Sequence, residues 1–574
     1  MKRLLLLVLA IPPLAPCVVG GCGPSASSIP VEVADGPAWF ADVSREVGLD
    51  FVHEVGTVPL EKYFLPHLMG SGAALFDYDN DGRLDIYLIQ NGGPKSGAVN
   101  RLYHQEANGR FTDVTSGSGL GITGYGMGVA IGDVNNDGLP DVVVTEYGGI
   151  RLFLNNGNGT FTEITKEAGL DNTQWATSAC FVDYDRDGWL DLVVVNYVDY
   201  DPTVICTGKG DQERTFCHPK SFPGSVTKLY HNLGQRPGSN HKAVRFADVT
   251  LTSGLGKLPG PGLGVVCADF DGDGWPDIFV ANDAHANHLW INQHNGTFKE
   301  KGVQRGLAYN SMGAPQGNMG IALGDVNGDG LFDLFVTHLT EETNTLWKQN
   351  PRGLFQDLTG AARLLRAQWR GTGFGTTFGD FDQDGHLDLA LVNGRVSRAK
   401  TTQAGSLPAF WQPYGERNQV FANETNGSFR DISSANPDFC GAPRVARGLA
   451  CGDINGDGAL DLLVTNVAGA AQLFSNVAPH RGHWLLVRAL EPDLGGRYAY
   501  GATVRANAGG RQWVGWVNPG QSYLCSNDPR VHFGLGKLEQ VESFEVIWPN
   551  GDKERFPGSP ADHEVTLNHG RGKK

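Results

Sequence analysis

Apolar residues recur along the chain in short, mostly β-branched runs: 86–89 (Ile-Tyr-Leu-Ile), 142–144 (Val-Val-Val), 192–195 (Leu-Val-Val-Val) and 278–280 (Ile-Phe-Val). Runs this short and this rich in valine and isoleucine predict strands buried on both faces. Each directly follows a polar segment of nine residues, Asp-x-Asp/Asn-x-Asp-Gly-x-x-Asp. The segment occurs seven times, beginning at Asp77, Asp133, Asp183, Asp269, Asp325, Asp380 and Asp453. Recurrence of this kind marks a repeat architecture.

Two further strand patterns travel with it. One is of Leu-aromatic-x-Asn type and begins at Leu102, Leu152, Leu229, Leu289, Leu346, Val420 and Leu473. The other is Phe-x-Asp-Val-like, begins at Phe111, Phe161, Phe246, Phe298, Phe355 and Phe429, and usually follows an Asn-Gly or similar turn, the favoured two-residue hairpin signal. The seventh copy of this last strand stands alone at the start, at Phe40, before any aspartate segment. An open stack has no use for a displaced strand, whereas a closed ring uses it to complete its last unit. The expected fold is therefore all-β: a seven-bladed β-propeller over 38–478, its N-terminal strand closing the last blade. Residues 479–567 alternate apolar and polar around glycine turns and predict a small C-terminal β-domain of roughly six strands. Residues 568–574 read as a charged, frayed tail.

Composition adds two points. Glycine, at 79 residues of 574, is about twice its usual share of roughly 7%, as many tight turns require. The net charge of −16 argues against nucleic acid as a partner.

The acidic excess sits largely in the seven segments. Their ligand sets are Asp77, Asp79, Asp81 and Asp85; Asp133, Asn135, Asp137 and Asp141; Asp183, Asp185, Asp187 and Asp191; Asp269, Asp271, Asp273 and Asp277; Asp325, Asn327, Asp329 and Asp333; Asp380, Asp382, Asp384 and Asp388; and Asp453, Asn455, Asp457 and Asp461. Alternating oxygen side chains, a glycine for the sharp turn and a carboxylate at the ninth position can wrap one hard cation. Calcium accepts six to eight such oxygens with flexible geometry, and magnesium fits less well. The ligand positions themselves offer no thiol or imidazole, which disfavours zinc and copper. Up to seven Ca²⁺ ions are expected, in a structural role, and they would bring the chain near neutrality. An EF-hand is excluded because its twelfth position, a glutamate in that motif, is apolar in every copy: Leu88, Val144, Val194, Val280, Val336, Leu391 and Val464.

The first residues read as an address. Met1-Lys2-Arg3 precedes an apolar stretch too short to span a bilayer, and Val19-Gly20-Gly21 leads to Cys22. Residues 1–22 are read as a lipoprotein signal peptide with Cys22 as the lipidated residue, and 23–37 as a flexible tether. The chain is then exported and held at the cell envelope or surface, touching membrane only through that anchor. Export permits disulfides, and Cys206 and Cys217, in one loop, are expected to pair. Cys180, Cys267 and Cys451 are expected to be buried.

The aspartate loop with its preceding glycine, as in 132–138, resembles the FG-GAP/VCBS repeats of integrin α-subunit propellers. The C-terminal part resembles the ASPIC/UnbV module in His483-Trp484-Leu485, Gly520-Gln521-Ser522-Tyr523-Leu524, 530–536 and Trp548-Pro549-Asn550-Gly551. Cys525-Ser526-Asn527 departs from that module's usual sequence. Together these parts look like the cartilage-acidic-protein family. The resemblance implies calcium-binding extracellular proteins with adhesive or scaffold roles and no established catalytic activity.

Long insertions at 196–228, 393–418, 55–70 and 308–318 are expected on the face opposite the aspartate loops. There Trp411 and Tyr414 are read either as anchors for a protein or glycan ligand or as rings that plug the channel or seat the C-terminal domain. No catalytic residues are assigned: the sequence has no Gly-x-Ser-x-Gly, His-Glu-x-x-His or Cys-x-x-Cys motif. A binding, adhesion or scaffold module is the leading reading. The alternatives are a polysaccharide-active hydrolase or lyase on a propeller scaffold, and a purely structural envelope component.

Overall fold

The computed structural model describes residues 36–208, 213–234, 244–399, 407–479 and 481–574. Cys22, with the leader and most of the tether, lies outside the described residues. No helix among the described residues is long and apolar enough to cross a membrane.

The chain is all-β and built as a propeller-type repeat. Among the described residues seven sheets share one antiparallel order, and the first runs Ala73–Phe76, Asp85–Leu88, Arg101–Gln105 and Phe111–Asp113. In each sheet the last residue of the first strand pairs with the ninth-position aspartate, as in Phe76 with Asp85 and Gly452 with Asp461. The aspartate segment is thus always the hairpin joining the first two strands. In the seventh sheet, Ala446–Gly452, Asp461–Asn466 and Gln472–Asn476 are followed by Phe40–Asp42, which pairs antiparallel with Gln472–Asn476.

First strands of successive sheets pack side by side, and that of the seventh packs against that of the first. Their glycines permit this. A Cβ on Gly128 would meet the Thr177 carbonyl, and one on Gly320 the Phe374 carbonyl; only glycine lets backbones approach so closely. Hydroxyls fasten the same seams: Thr177 Oγ1 donates to the Gly262 carbonyl at 2.9 Å, Thr337 Oγ1 to Phe374 at 2.9 Å, and Thr465 Oγ1 to Ser71.

Among the described residues the C-terminal region holds eight strands, against the roughly six expected, in two four-stranded sheets. Its last strand, His563–Asn568, pairs in parallel with His483–Glu491. The tail expected to fray returns to the sheet, where Arg555 and Lys573 exchange two backbone hydrogen bonds of 2.8 Å.

Residues 518–528 leave this domain and run into the propeller axis. Ser522 and Ile321 exchange backbone bonds of 2.7 and 3.1 Å, Ser526 N–H donates to Ala73, Leu75 N–H to Ser526, Val129 N–H to Leu524, and Asp528 N–H to Cys451. The Tyr523 ring is fully buried; its hydroxyl donates to the Met69 carbonyl at 3.0 Å and its ring meets Phe374 edge-on at 4.9 Å. The axis is therefore filled by the chain itself.

The rest of the domain lies over the aspartate loops. Trp513 Nε1 donates to Gly385, His532 Nε2 lies 2.8 Å from the Gly458 carbonyl, and Arg530 donates to the Asp453 carbonyl. At the other end of the axis the long insertions form an aromatic cap of Tyr63, Phe216, Phe410, Trp411 and Tyr414. Trp411 and Tyr414 are each 1% exposed, so as they stand they are not open to a ligand. They serve the packing role instead, in one apolar cluster with Tyr523 and Leu524, while the C-terminal domain sits on the opposite face.

Candidate metal centres

All seven aspartate loops share one backbone scaffold. The sixth-position glycine has positive φ, from 80° at Gly330 to 96° at Gly385, the turn that a Cβ would strain. The first-position aspartate accepts the N–H of that glycine at 2.8–3.1 Å. The ninth-position aspartate is buried in every copy. One of its oxygens accepts the second-position N–H at 2.9–3.2 Å. The other accepts, at 2.7–2.9 Å, the N–H of the residue that ends the third strand. These two aspartates therefore also shape the turn.

The third-position oxygens do not share that occupation throughout. Oδ1 of Asp185, Asp271 and Asn327 is buried without a hydrogen-bond partner, an arrangement that disfavours the empty loop. Ligand oxygens of Asp77, Asp79 and Asp81 lie within 4.8 Å of one another, as do those of Asp183, Asp185 and Asp187 and of Asp269, Asp271 and Asp273. The donor set and its spacing fit a divalent cation.

Without a cation, burial drives these carboxyls toward the protonated form, and neighbouring carboxylates add to the effect. Asp85, Asp191 and Asp333 are pushed up to about 8, and Asp183 and Asp461 to about 7. Each loop thus holds acid groups that ionise readily only when positive charge is supplied.

One expectation needs correction. Imidazole lies beside three loops: at the fourth, His294 Nε2 is 2.6 Å from Asp273, and at two others it comes from the third strand rather than from the loop itself. His104 Nδ1 lies 3.2 Å from Asp85 and 3.6 Å from Asp79, and His231 Nδ1 lies 3.0 Å from Asp191 and 3.4 Å from Asp185. Its hydrogen bond to Asp191 raises His231 to about 9. No nine-residue pattern contains these histidines, because the third strand lies beyond the second in sequence.

The Leu-aromatic-x-Asn strands have a role that sequence reading missed. Their terminal amides reach the second-position carbonyl of the preceding loop: Asn155 to Tyr78, Asn232 to Val134, Asn292 to Tyr184, Asn423 to Val326 and Asn476 to Phe381, at 2.7–2.9 Å. Gln105 of the first sheet reaches Ile454 of the seventh loop at 2.7 Å. Gln349 bonds within its own sheet, to the Phe332 carbonyl. Cys206 and Cys217 are disulfide-bonded, while Cys180, Cys267 and Cys451 are free and buried.

The profile of FG-GAP-like repeats matches residues 77–144, 133–194, 269–336, 325–391 and 409–464, more than half of the chain, and that of ASPIC and UnbV matches 494–574. The chain belongs to the FG-GAP repeat family and carries an ASPIC/UnbV domain. Cartilage acidic protein 1 of Xenopus tropicalis is 27% identical over 330 residues, 56% of this chain and 46% of that protein. Its Homo sapiens counterpart is 27% identical over 316 residues, 54% of this chain and 44% of that protein. The chain thus spans about half the length of these curated relatives. Among solved structures, an Agrocybe aegerita lectin described as recognising non-reducing terminal N-acetylglucosamine covers 70% of this chain and 86% of its own, at 13% identity and a TM-score of 0.37.

Proposed function

We propose that this FG-GAP protein is an exported, lipid-anchored binding or scaffold module for a protein or glycan. Its seven sheets are read as the seven blades of a closed propeller. Phe40–Asp42 and the Gln105 amide fasten the first blade to the last, and Ca²⁺ occupies the aspartate loops. The observation that carries the reading is the filled axis: a propeller acting on a substrate in its channel needs that channel open, and residues 518–528 with the aromatic cap occupy it. A rigid, plugged disc suits display of a surface.

The hard oxygen donors favour calcium. The imidazoles beside the first and third loops also admit a softer divalent ion there. The Cys206–Cys217 disulfide fits an oxidising compartment; lipidation at Cys22 rests on the leader sequence alone.

Thermal unfolding with added chelator and then with calcium is the primary test. Calcium is expected to raise the midpoint and the chelator to lower it, and an unmoved midpoint would remove metal from the account. Glycan and protein arrays, run beside a turnover assay on polysaccharides, then address the ligand. Binding without cleavage is expected, and cleavage would favour the enzyme.

A further inference from the structure

Between the fourth and fifth aspartate loops and the C-terminal domain lies a cavity of about 310 Å³. Four cations line it: Arg186 from the third loop, Arg352 from the fifth sheet, and Arg505 and Lys553 from the C-terminal domain. The acidic groups that line it are Asp269 and Asp273, both members of the fourth loop.

These cations are short of partners. Among the described residues Arg352, Arg505 and Lys553 form no ion pair and no side-chain hydrogen bond, and Nε of both Arg505 and Arg186 is buried without a partner. Of the carboxylates nearby, Asp269 accepts the backbone N–H groups of Gly272 and Gly274, and the others are engaged elsewhere. Glu545, across the strand from Arg505, pairs with Arg555 at 2.9 Å; Asp271 pairs with Arg305 at 3.2 Å; and Asp273 lies 2.6 Å from His294. Arg186 donates to the Gly274 carbonyl and lies over the Trp275 ring at 4.0 Å, which aims it without neutralising it. Burial, and then the charge of Arg352, hold the Arg505 guanidinium below its ordinary pKa. A divalent ion in the fourth loop would cancel much of the remaining negative charge and leave the cations in excess.

We propose that this cavity binds a tetrahedral oxyanion, carried as the sulfate or phosphate ester of a sugar. Guanidinium forks match such oxygens with paired, charge-assisted hydrogen bonds, and the Lys553 ammonium adds a point charge. The volume stands at the lower end of the ~300–1,000 Å³ range of small-molecule sites, room for an esterified sugar unit rather than a bare ion. The sugar rests on the binding-module reading above; the anion does not.

The test is equilibrium dialysis of the calcium-saturated full chain against labelled inorganic sulfate at constant ionic strength, beside glucosamine 6-sulfate and unsulfated glucosamine. Saturable sulfate uptake is expected. Arg505→Gln and Arg352→Gln should each weaken it about tenfold or more, as loss of a hydrogen bond to a charged group does. Arg398→Gln, on the cap face, should leave it unchanged. Absence of saturable uptake, or equal affinity in the Arg505 and Arg352 variants, would overturn the site. The sulfated sugar should bind more tightly than inorganic sulfate, and the unsulfated sugar should not bind. Equal affinity for sulfated sugar and free sulfate would overturn the sugar and identify the inorganic anion as the ligand. A failed anion site with intact calcium stabilisation would leave the binding-module reading standing.

Discussion

The ninth-position aspartates do two jobs with the same atoms. Asp141 holds the N–H groups of Val134 and Asn155 while lying among the acid groups of its loop. Asp141→Ala leaves two buried donors unpaired, each costing about 1–3 kcal/mol. The loss should appear in urea unfolding with calcium and persist in chelator, whereas a residue that only bound metal would show its effect with calcium alone. The pH dependence of the metal-free protein follows from the same burial. Carboxyls such as Asp85, Asp191 and Asp333, pushed up to about 8, stand above their unfolded value of roughly 4. Their contribution to stability is full below that value and is lost as pH rises through about 8. The unfolding midpoint of the chelated protein should fall from pH 5 to pH 8, and the gap between calcium-loaded and chelated protein should widen. At this scale the oxygen ligands were legible because they lie within nine consecutive residues. His104, His231 and the bridging amides were not, because each meets its partners across a strand or across a sheet boundary.

Among the elements, the strands were the most legible, since short apolar runs between glycine turns allow little else. The axial segment was not. Residues 518–528 have no strand periodicity, and their hydrogen-bond partners, Ala73, Val129, Ile321 and Cys451, lie far away in sequence. The departure at Cys525-Ser526-Asn527 acquires a place: Ser526 bonds the first sheet, and the Asn527 side chain accepts the Cys451 N–H at 2.9 Å. The aromatic insertions were placed at the right end of the axis, but sequence alone could not choose between exposure and packing, because three separate insertions bury one another's rings. Tyr523→Ala should open a void at the centre of this packing and leave the Met69 carbonyl without its donor. A loss of about 3–5 kcal/mol is expected, read from the urea midpoint, and a change below 1 kcal/mol would show that the segment is only loosely seated.

At the scale of the molecule, the propeller and the C-terminal domain are not separable units. Core residues of the second and third sheets form one apolar cluster with Val504, Phe544 and Trp548 of the domain. A chain ending at residue 478 should therefore aggregate or lose cooperative unfolding, checked by size exclusion and circular dichroism; a soluble truncated chain with an unchanged midpoint would contradict this. The recurrence of four-stranded sheets and the far-off pairing of the first strand were legible because repeats advertise themselves. The intimacy of the two parts was not, since nothing in a pattern of turns reveals which loop leaves its own domain.

The pairing of Phe40 with Asn476 sets an order of events during synthesis. The Phe40 strand, made before its partner, must wait, unpaired, while every intervening sheet emerges from the ribosome, and the segment that fills the centre comes later still. Long-range closure of this kind is slow, and its open edges invite aggregation. A chain that folds only once all of its sheets are available avoids both hazards, so folding after the whole chain has emerged would suit this pairing better than stepwise folding.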